Sequence, residues 1–196
     1  MIFSLLIAGY TAFAQDDVVK AFEQSYKEEA DSAYLKAANT LKAVYAADSY
    51  ELNLRLGWLN YMAGKYTDAQ GYYQKAINLM PYSIEAKFGY ALPTAALGNW
   101  EQVGKQYEDI LKIDPNNTQA NYRLGYISYT NEDYQKAYTY FEKVANLYPF
   151  DYDTALMLAW TNYRLNKLRE AKVIFNKVLM MSPNDDSALQ GLSLIK

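Results

Sequence analysis

Cysteine and histidine are both missing from this chain of 196 residues. Their absence removes thiolate nucleophiles, disulfides, imidazole acid-base chemistry and the usual zinc ligands together. Charge is modest in either sign: 21% of residues are charged and the net charge is −3, with a pI near 5.1. The basic residues are scattered among acids, so the chain offers no basic face for phosphates and no nucleic-acid partner is expected. No phosphate-cradling glycine loop, nucleophile elbow or clustered metal-ligand pattern occurs. The expectation is a protein without enzymatic activity, cofactor or metal. What the chain does have is hydrophobic residues, 51% of the total, and 21 tyrosines. That suffices for a domain-sized core and argues against disorder.

Proline is scarce, five in all, but four of the five are regularly placed: Pro81, Pro115, Pro149 and Pro183 stand 34 residues apart. Ser83, Asn117, Asp151 and Asp185 keep the same interval. A fixed period of this size signals a stacked supersecondary unit whose neighbours complete each other's core. The frames are 50–83, 84–117, 118–151 and 152–185, preceded by an irregular copy over 15–49 and followed by 186–196.

Each frame holds two apolar stretches of helical spacing, separated by a polar break at Gly64-Lys65, Gly98-Asn99, Glu132-Asp133 or Asn166-Lys167. Each frame therefore reads as a helical hairpin. Ser83, Asn117, Asp151 and Asp185 are positioned to cap the first helices, and the preceding prolines stop the previous ones. Small residues recur in the first helix at Gly57, Ala91, Gly125 and Ala159, and in the second at Ala69, Ala137 and Ala171, with Val103 in that column. Tyr73, Tyr107, Phe141 and Phe175 follow as large residues, then Ala76, Ile110, Val144 and Val178, making one buried stripe. Tyr66, Trp100, Tyr134 and Leu168 start the second helices and are expected to wedge each hairpin together. In the tail, Ala188, Leu189, Leu192 and Ile195 share a face suited to covering the last hairpin, with Leu194 on another face.

These columns resemble the tetratricopeptide repeat family, through Leu56-Gly57 and Leu124-Gly125, Gly64-Lys65-Tyr66 with Ala69, and the recurring prolines. The early tryptophan of that family is replaced by Asn53, Lys87, Asn121 and Ala155. The first copy is weaker: Tyr34, Ala37, Leu41 and Val44 keep the second-helix spacing, but Ala46-Ala47-Asp48 lacks the proline and the join to Tyr50 looks shortened. The resemblance implies an all-α fold, a right-handed superhelical α-solenoid whose first helices line a concave groove.

Helical projection places Leu54, Arg55, Trp58, Tyr61 and Met62 on that inner side, with Phe88 in the next copy. Tyr122, Arg123, Tyr126 and Tyr129 are equivalent in the third, and Leu156, Met157, Trp160, Tyr163 and Arg164 in the fourth. Three arginines amid seven Trp or Tyr rings suit an extended peptide, stacking on apolar side chains and pairing carboxylates. Pro93, with Gly89, Ala95 and Ala96 near it, predicts a kink and a recess. An interior proline costs roughly 3 kcal/mol unless accommodated.

Of the paired acids, Asp16-Asp17 and Asp185-Asp186 fall at expected helix starts and read as caps, while Glu28-Glu29 reads as a solvated face. Asn116-Asn117-Thr118 matches a glycosylation acceptor. The lysine and asparagine clamp of the chaperone-tail-binding branch is absent, since Leu54 and Trp58, or Tyr122 and Tyr126, stand there. Residues 1–14, MIFSLLIAGYTAFA, are uncharged and end in a small-x-small pattern, which reads as a cleaved export signal although no Lys or Arg precedes the apolar run; an uncleaved membrane anchor and a merely apolar first helix are the alternatives. The mature chain is expected to be periplasmic or secreted, without a stable membrane span. Three functions fit: a scaffold binding a peptide segment of another protein, a subunit of an envelope complex using a convex or end surface, and a stacking platform for glycan.

Overall fold

The computed structural model describes the backbone of residues 3–195 and the side chains of residues 15–195. The signal expected over 1–14 lies outside the residues described in full. The chain divides into two compact units, with the boundary between Gln106 and Tyr107. The first holds α1 (Phe3–Ala30), α2 (Tyr34–Lys42), α3 (Tyr50–Met62), α4 (Tyr66–Leu79), α5 (Ile84–Ala96) and the start of α6 (Trp100–Ile113). The second holds the rest of α6, then α7 (Thr118–Thr130), α8 (Tyr134–Leu147), α9 (Tyr152–Arg164), α10 (Leu168–Met181) and α11 (Asp186–Leu194). Among the described residues there is no strand, and no helix is long and apolar enough to cross a membrane.

The periodic polar residues cap the first helices as their spacing demands. Ser83, Asn117, Asp151 and Asp185 accept from the amides of Ala86, Ala120, Thr154 and Ala188 at 3.0, 3.0, 2.9 and 2.8 Å. Ser49 does the same for Leu52 at 3.2 Å, so the entry to α3 keeps the period. The first hairpin differs instead in α2, which spans 9 residues where α4, α6, α8 and α10 span 14.

The hairpin turns all need a left-handed residue: φ is 73° at Gly64, 78° at Gly98, 61° at Glu132 and 58° at Asn166. Glycine accepts that geometry freely and asparagine tolerates it, whereas Glu132 carries the Cβ penalty. The large column of the second helices packs against the small one of the first. Tyr73 is buried between Gly57 of α3 and Gly89 of α5, Phe141 lies on Gly125, and Phe175 lies on Gly191 of α11.

The residues in place of the family's tryptophan have a structural task. Asn53 donates to the carbonyls of Ala47 and Ser49 at 3.0 and 2.7 Å, and Asn121 to those of Pro115 and Asn117 at 3.1 and 2.9 Å. Each amide thereby ties the turn that enters its own helix. The Asn53 carbonyl oxygen also accepts from the Tyr45 hydroxyl at 2.9 Å, whereas the Asn121 oxygen is buried without a partner.

Four expectations change, the first being that Asp16 and Asp17, expected to cap a helix start, lie inside α1. Trp100 begins α6 but is 57% exposed, so most of its ring lies outside the wedge. The equivalent Tyr66 and Tyr134 lie against Tyr61 and Tyr129, at centroid distances of 5.9 and 5.3 Å; α5 offers only Ala95 at that position. In the tail, Ala188 joins the core with Phe175 and Val178, and Leu192 and Ile195 pack against it, but Leu189 is exposed, because no further helix covers α11 among the described residues. Pro93 is buried inside α5, which runs unbroken over the same 13 residues as α3, α7 and α9. Nor does Gly89 open space beside it, since the Tyr73 ring fills that volume.

Candidate functional site

In the first unit, the first-helix face of α3 is already engaged. Arg55 and Trp58 stand one turn apart and both donate to Glu29 in the last turn of α1: Nη2 to Oε2 and Nε1 to Oε1, each at 2.5 Å. The guanidinium also lies 3.9 Å from the Tyr26 ring centre. Arg55 is therefore not a free cation, because a carboxylate of the same chain has taken it. Trp58 leans on Tyr61 at 6.0 Å, and Leu54 and Phe88 are half-buried.

The neighbouring acids Glu28 and Glu29 are not a solvated pair. Successive helical residues point about 100° apart, so Glu28 meets α2 and Glu29 meets α3. Glu28 accepts from Gln24 at 2.9 Å and Thr40 at 2.8 Å, and pairs with Lys36 at 3.4 Å. Those bonds hold its carboxyl below the ordinary carboxylate value. For Glu29, burial acts upward, but the bonds from Arg55 and Trp58 and the Arg55 charge outweigh it, and the net direction is again down.

In the second unit, α7 and α9 present equivalent faces. Tyr122 is half-buried, edge-on to Phe141 at 5.6 Å, and burial raises its hydroxyl. Tyr129 packs on Tyr134, and the Arg164 guanidinium lies 5.5 Å from the Tyr134 ring centre. Trp160 is edge-on to Phe175 at 5.0 Å and to Tyr163 at 5.7 Å, and its Nε1 donates to Ser187 at 2.9 Å. Leu156 and Met157 are half-buried. Arg123 and Tyr126 are different. Tyr126 is 51% exposed, and Arg123 is exposed with no hydrogen bond or ion pair among the described residues.

The structure thus divides the expected set. Arg55, Trp58, Tyr61, Tyr129, Trp160, Tyr163 and Arg164 each have an internal partner, while Arg123 and Tyr126 turn outward. Sequence reasoning missed Tyr26, Glu29 and Ser187, which belong to the irregular first copy and the tail. Glu29 carried one signal: with the first hairpin set 32 residues before the second, Ser32 matching Gly64 and Tyr34 matching Tyr66, its column continues as Tyr61, Ala95, Tyr129 and Tyr163, so it is the single acid at that position. Chemically the faces offer π surfaces and a guanidinium, groups that bind and orient other molecules and supply no general acid or base near neutrality.

Solved structures with the same fold include a tetratricopeptide repeat protein from Parabacteroides merdae, at 22% identity and TM-score 0.79, covering 91% of this chain and 72% of that one. MamA from Desulfovibrio magneticus aligns at 20% identity and TM-score 0.74, covering 87% and 98%. YrrB, described as a tetratricopeptide repeat protein with an unusual peptide-binding site, aligns at 13% identity and TM-score 0.74 over 99% of each chain. At these identities the likeness is one of fold. Two family models described as tetratricopeptide repeat match the sequence itself, one over residues 128–193 and the other over 30–84 and 94–152, more than half of the chain. With hairpins, caps and packing columns agreeing at one period, the chain belongs to the tetratricopeptide repeat family.

Proposed function

We propose that the chain is a protein-interaction scaffold that holds an extended peptide segment of a partner on the α7 and α9 faces, with Arg123 taking a carboxylate and Tyr126 offering a ring for stacking. The observation that carries this reading is the exposure of Arg123 beside Tyr126 without an ion pair, on a face whose other rings are held in place by packing. Rings fixed in advance lose little entropy on binding. The peptide-binding site named for YrrB supports the same use of the fold. The apolar signal-like segment at 1–14 supports an exported, envelope setting.

Phage-displayed dodecapeptides selected on the full chain test the proposal. Tyr126→Ala and Arg123→Glu are each expected to weaken the selected peptides by about tenfold or more. Binders indifferent to both changes would sink it. A second reading, a subunit role through another surface, draws on the exposed turn formed by Leu147, Tyr148 and Phe150, at 47, 60 and 67% exposure. It gains if an envelope partner copurifies with the Tyr126→Ala chain and is lost on Tyr148→Ser with Phe150→Ser.

A further inference from the structure

Glu29 divides its two oxygens between donors on α3, and the division leaves one of them incompletely served. Oε2 accepts from Arg55 Nη2 and Oε1 from Trp58 Nε1. Tyr26 stacks on the guanidinium, Ser25 Oγ stands 3.5 Å from Nη2, and the Arg55 side chain is only 10% exposed. Arg55 Nε is nevertheless buried without an acceptor. A carboxylate meeting the fork side-on would engage Nε and Nη2 together. Glu29 does not, because Trp58 holds its second oxygen.

The repeat pattern does not require this trio. The Arg55 column continues as Gly89, Arg123 and Met157, and the Trp58 column as Leu92, Tyr126 and Trp160. Only α3 carries arginine and tryptophan together, and only α1 sets an acid at the facing position, so the site is matched to a carboxylate rather than inherited from the repeat.

We propose that Arg55 and Trp58 form a carboxylate-binding site that Glu29 fills in the free protein and that the carboxylate of a bound peptide takes over. The proposal rests on the peptide-binding reading above, but it concerns the other unit and has its own test. Displacement asks only that the Glu29 side chain rotate: it sits in the last turn of α1, 22% exposed, with a path to water. The incoming group supplies the bond to Nε that Glu29 leaves unmade. Its source is either an acidic side chain or a chain end.

Three labelled hexapeptides separate these sources: one with neutral side chains and a free C-terminal carboxylate, the same peptide amidated, and an amidated peptide with one central glutamate. Each is titrated by fluorescence anisotropy against the full chain and its Glu29→Gln variant, which keeps an acceptor for Trp58 and removes the charge. Removing the internal competitor is expected to tighten one carboxylate peptide by about tenfold and leave the neutral amide unchanged. Arg55→Gln in the same background abolishes the gain. Equal affinities of all three probes for both proteins overturn the proposal. If Glu29→Gln loosens α1, the ¹⁵N-indole resonance of Trp58 in the unaltered chain reads the same exchange. It shifts with the carboxylate peptide and not with the neutral amide, and no shift at saturating peptide overturns the proposal. Binding lost on Tyr126→Ala but indifferent to Glu29 refutes this inference and leaves the α7 and α9 reading standing. A Glu29-dependent gain indifferent to Tyr126 does the reverse.

Discussion

Replacing Gly89 with alanine tests the packing logic that holds α5 on the hairpin before it. A Cβ at residue 89 would lie 2.6 Å from Tyr73 Cζ and 2.7 Å from Cδ1, and nearer still to Cε1. The ring cannot retreat, because Gly57 backs it on the other side, where an added Cβ would already meet Cγ at 2.8 Å, and Tyr73 is 3% exposed. Overpacking of a boxed ring costs about 1–3 kcal/mol, and the depth of this overlap puts Gly89→Ala at about 3 kcal/mol. For a chain of this length that lowers the thermal midpoint by roughly 6–12 °C. The control is Gly71→Ala, inside α4 and facing open space, where alanine should stabilise by about 0.5–1 kcal/mol. Circular dichroism melts at 222 nm read both variants. Tyr73→Leu should recover part of the loss in the Gly89→Ala background and destabilise the parent, since residues in contact couple. A Gly89→Ala melt equal to that of the parent, or above it, would refute the close approach of α5 to Tyr73.

Glu132→Gly relieves the left-handed strain at φ 61° and should stabilise by about 1 kcal/mol, read as a higher urea midpoint at unchanged slope; a lower midpoint contradicts the turn geometry. Tyr45→Phe leaves the Asn53 oxygen buried without its donor and frees Lys75 Nζ, which stands 3.0 Å from the Tyr45 hydroxyl. The expected loss is about 1–2 kcal/mol, and no loss would mean that the oxygen finds water. Glu29→Gln lowers the melting temperature near neutral pH, and the direction of the carboxyl's shift sets where that gap disappears. Because the folded value lies below the ordinary 4.5, the stabilisation is fully present above pH 4.5 and is lost as pH falls through the lowered value. Melts of both proteins from neutral to strongly acidic pH should therefore converge only at the acid end; a gap constant throughout would show that Glu29 charge contributes nothing.

Much of the scaffold was legible because its causes are local. A capping oxygen reaches an amide three residues on, and a left-handed turn favours glycine or asparagine, so Ser83, Asn117, Asp151, Asp185, Gly64 and Asn166 announce themselves by spacing. Ser49 was legible too, 34 residues before Ser83, but the missing proline at Ala47 hid it. Trp100 and Leu189 were misread for the same reason. Their burial depends on what another helix brings, Ala95 in one case and, among the described residues, no covering helix in the other, and a column of equivalents carries no record of its neighbours' exceptions.

The order of chain, repeat, hairpin and first-helix aromatic face was settled by the amino-acid sequence alone, since periodic hydrophobicity, caps and breakers act within a few residues of themselves. Which groups on that face stay available was decided only in three dimensions. Arg55 and Arg123 occupy the same column and look alike in sequence, yet the last turn of α1 places a carboxylate on the first and, among the described residues, no acid pairs with the second. Side-chain availability is a property of the partner that packing delivers, and that partner lies on another helix, outside the reach of any local pattern.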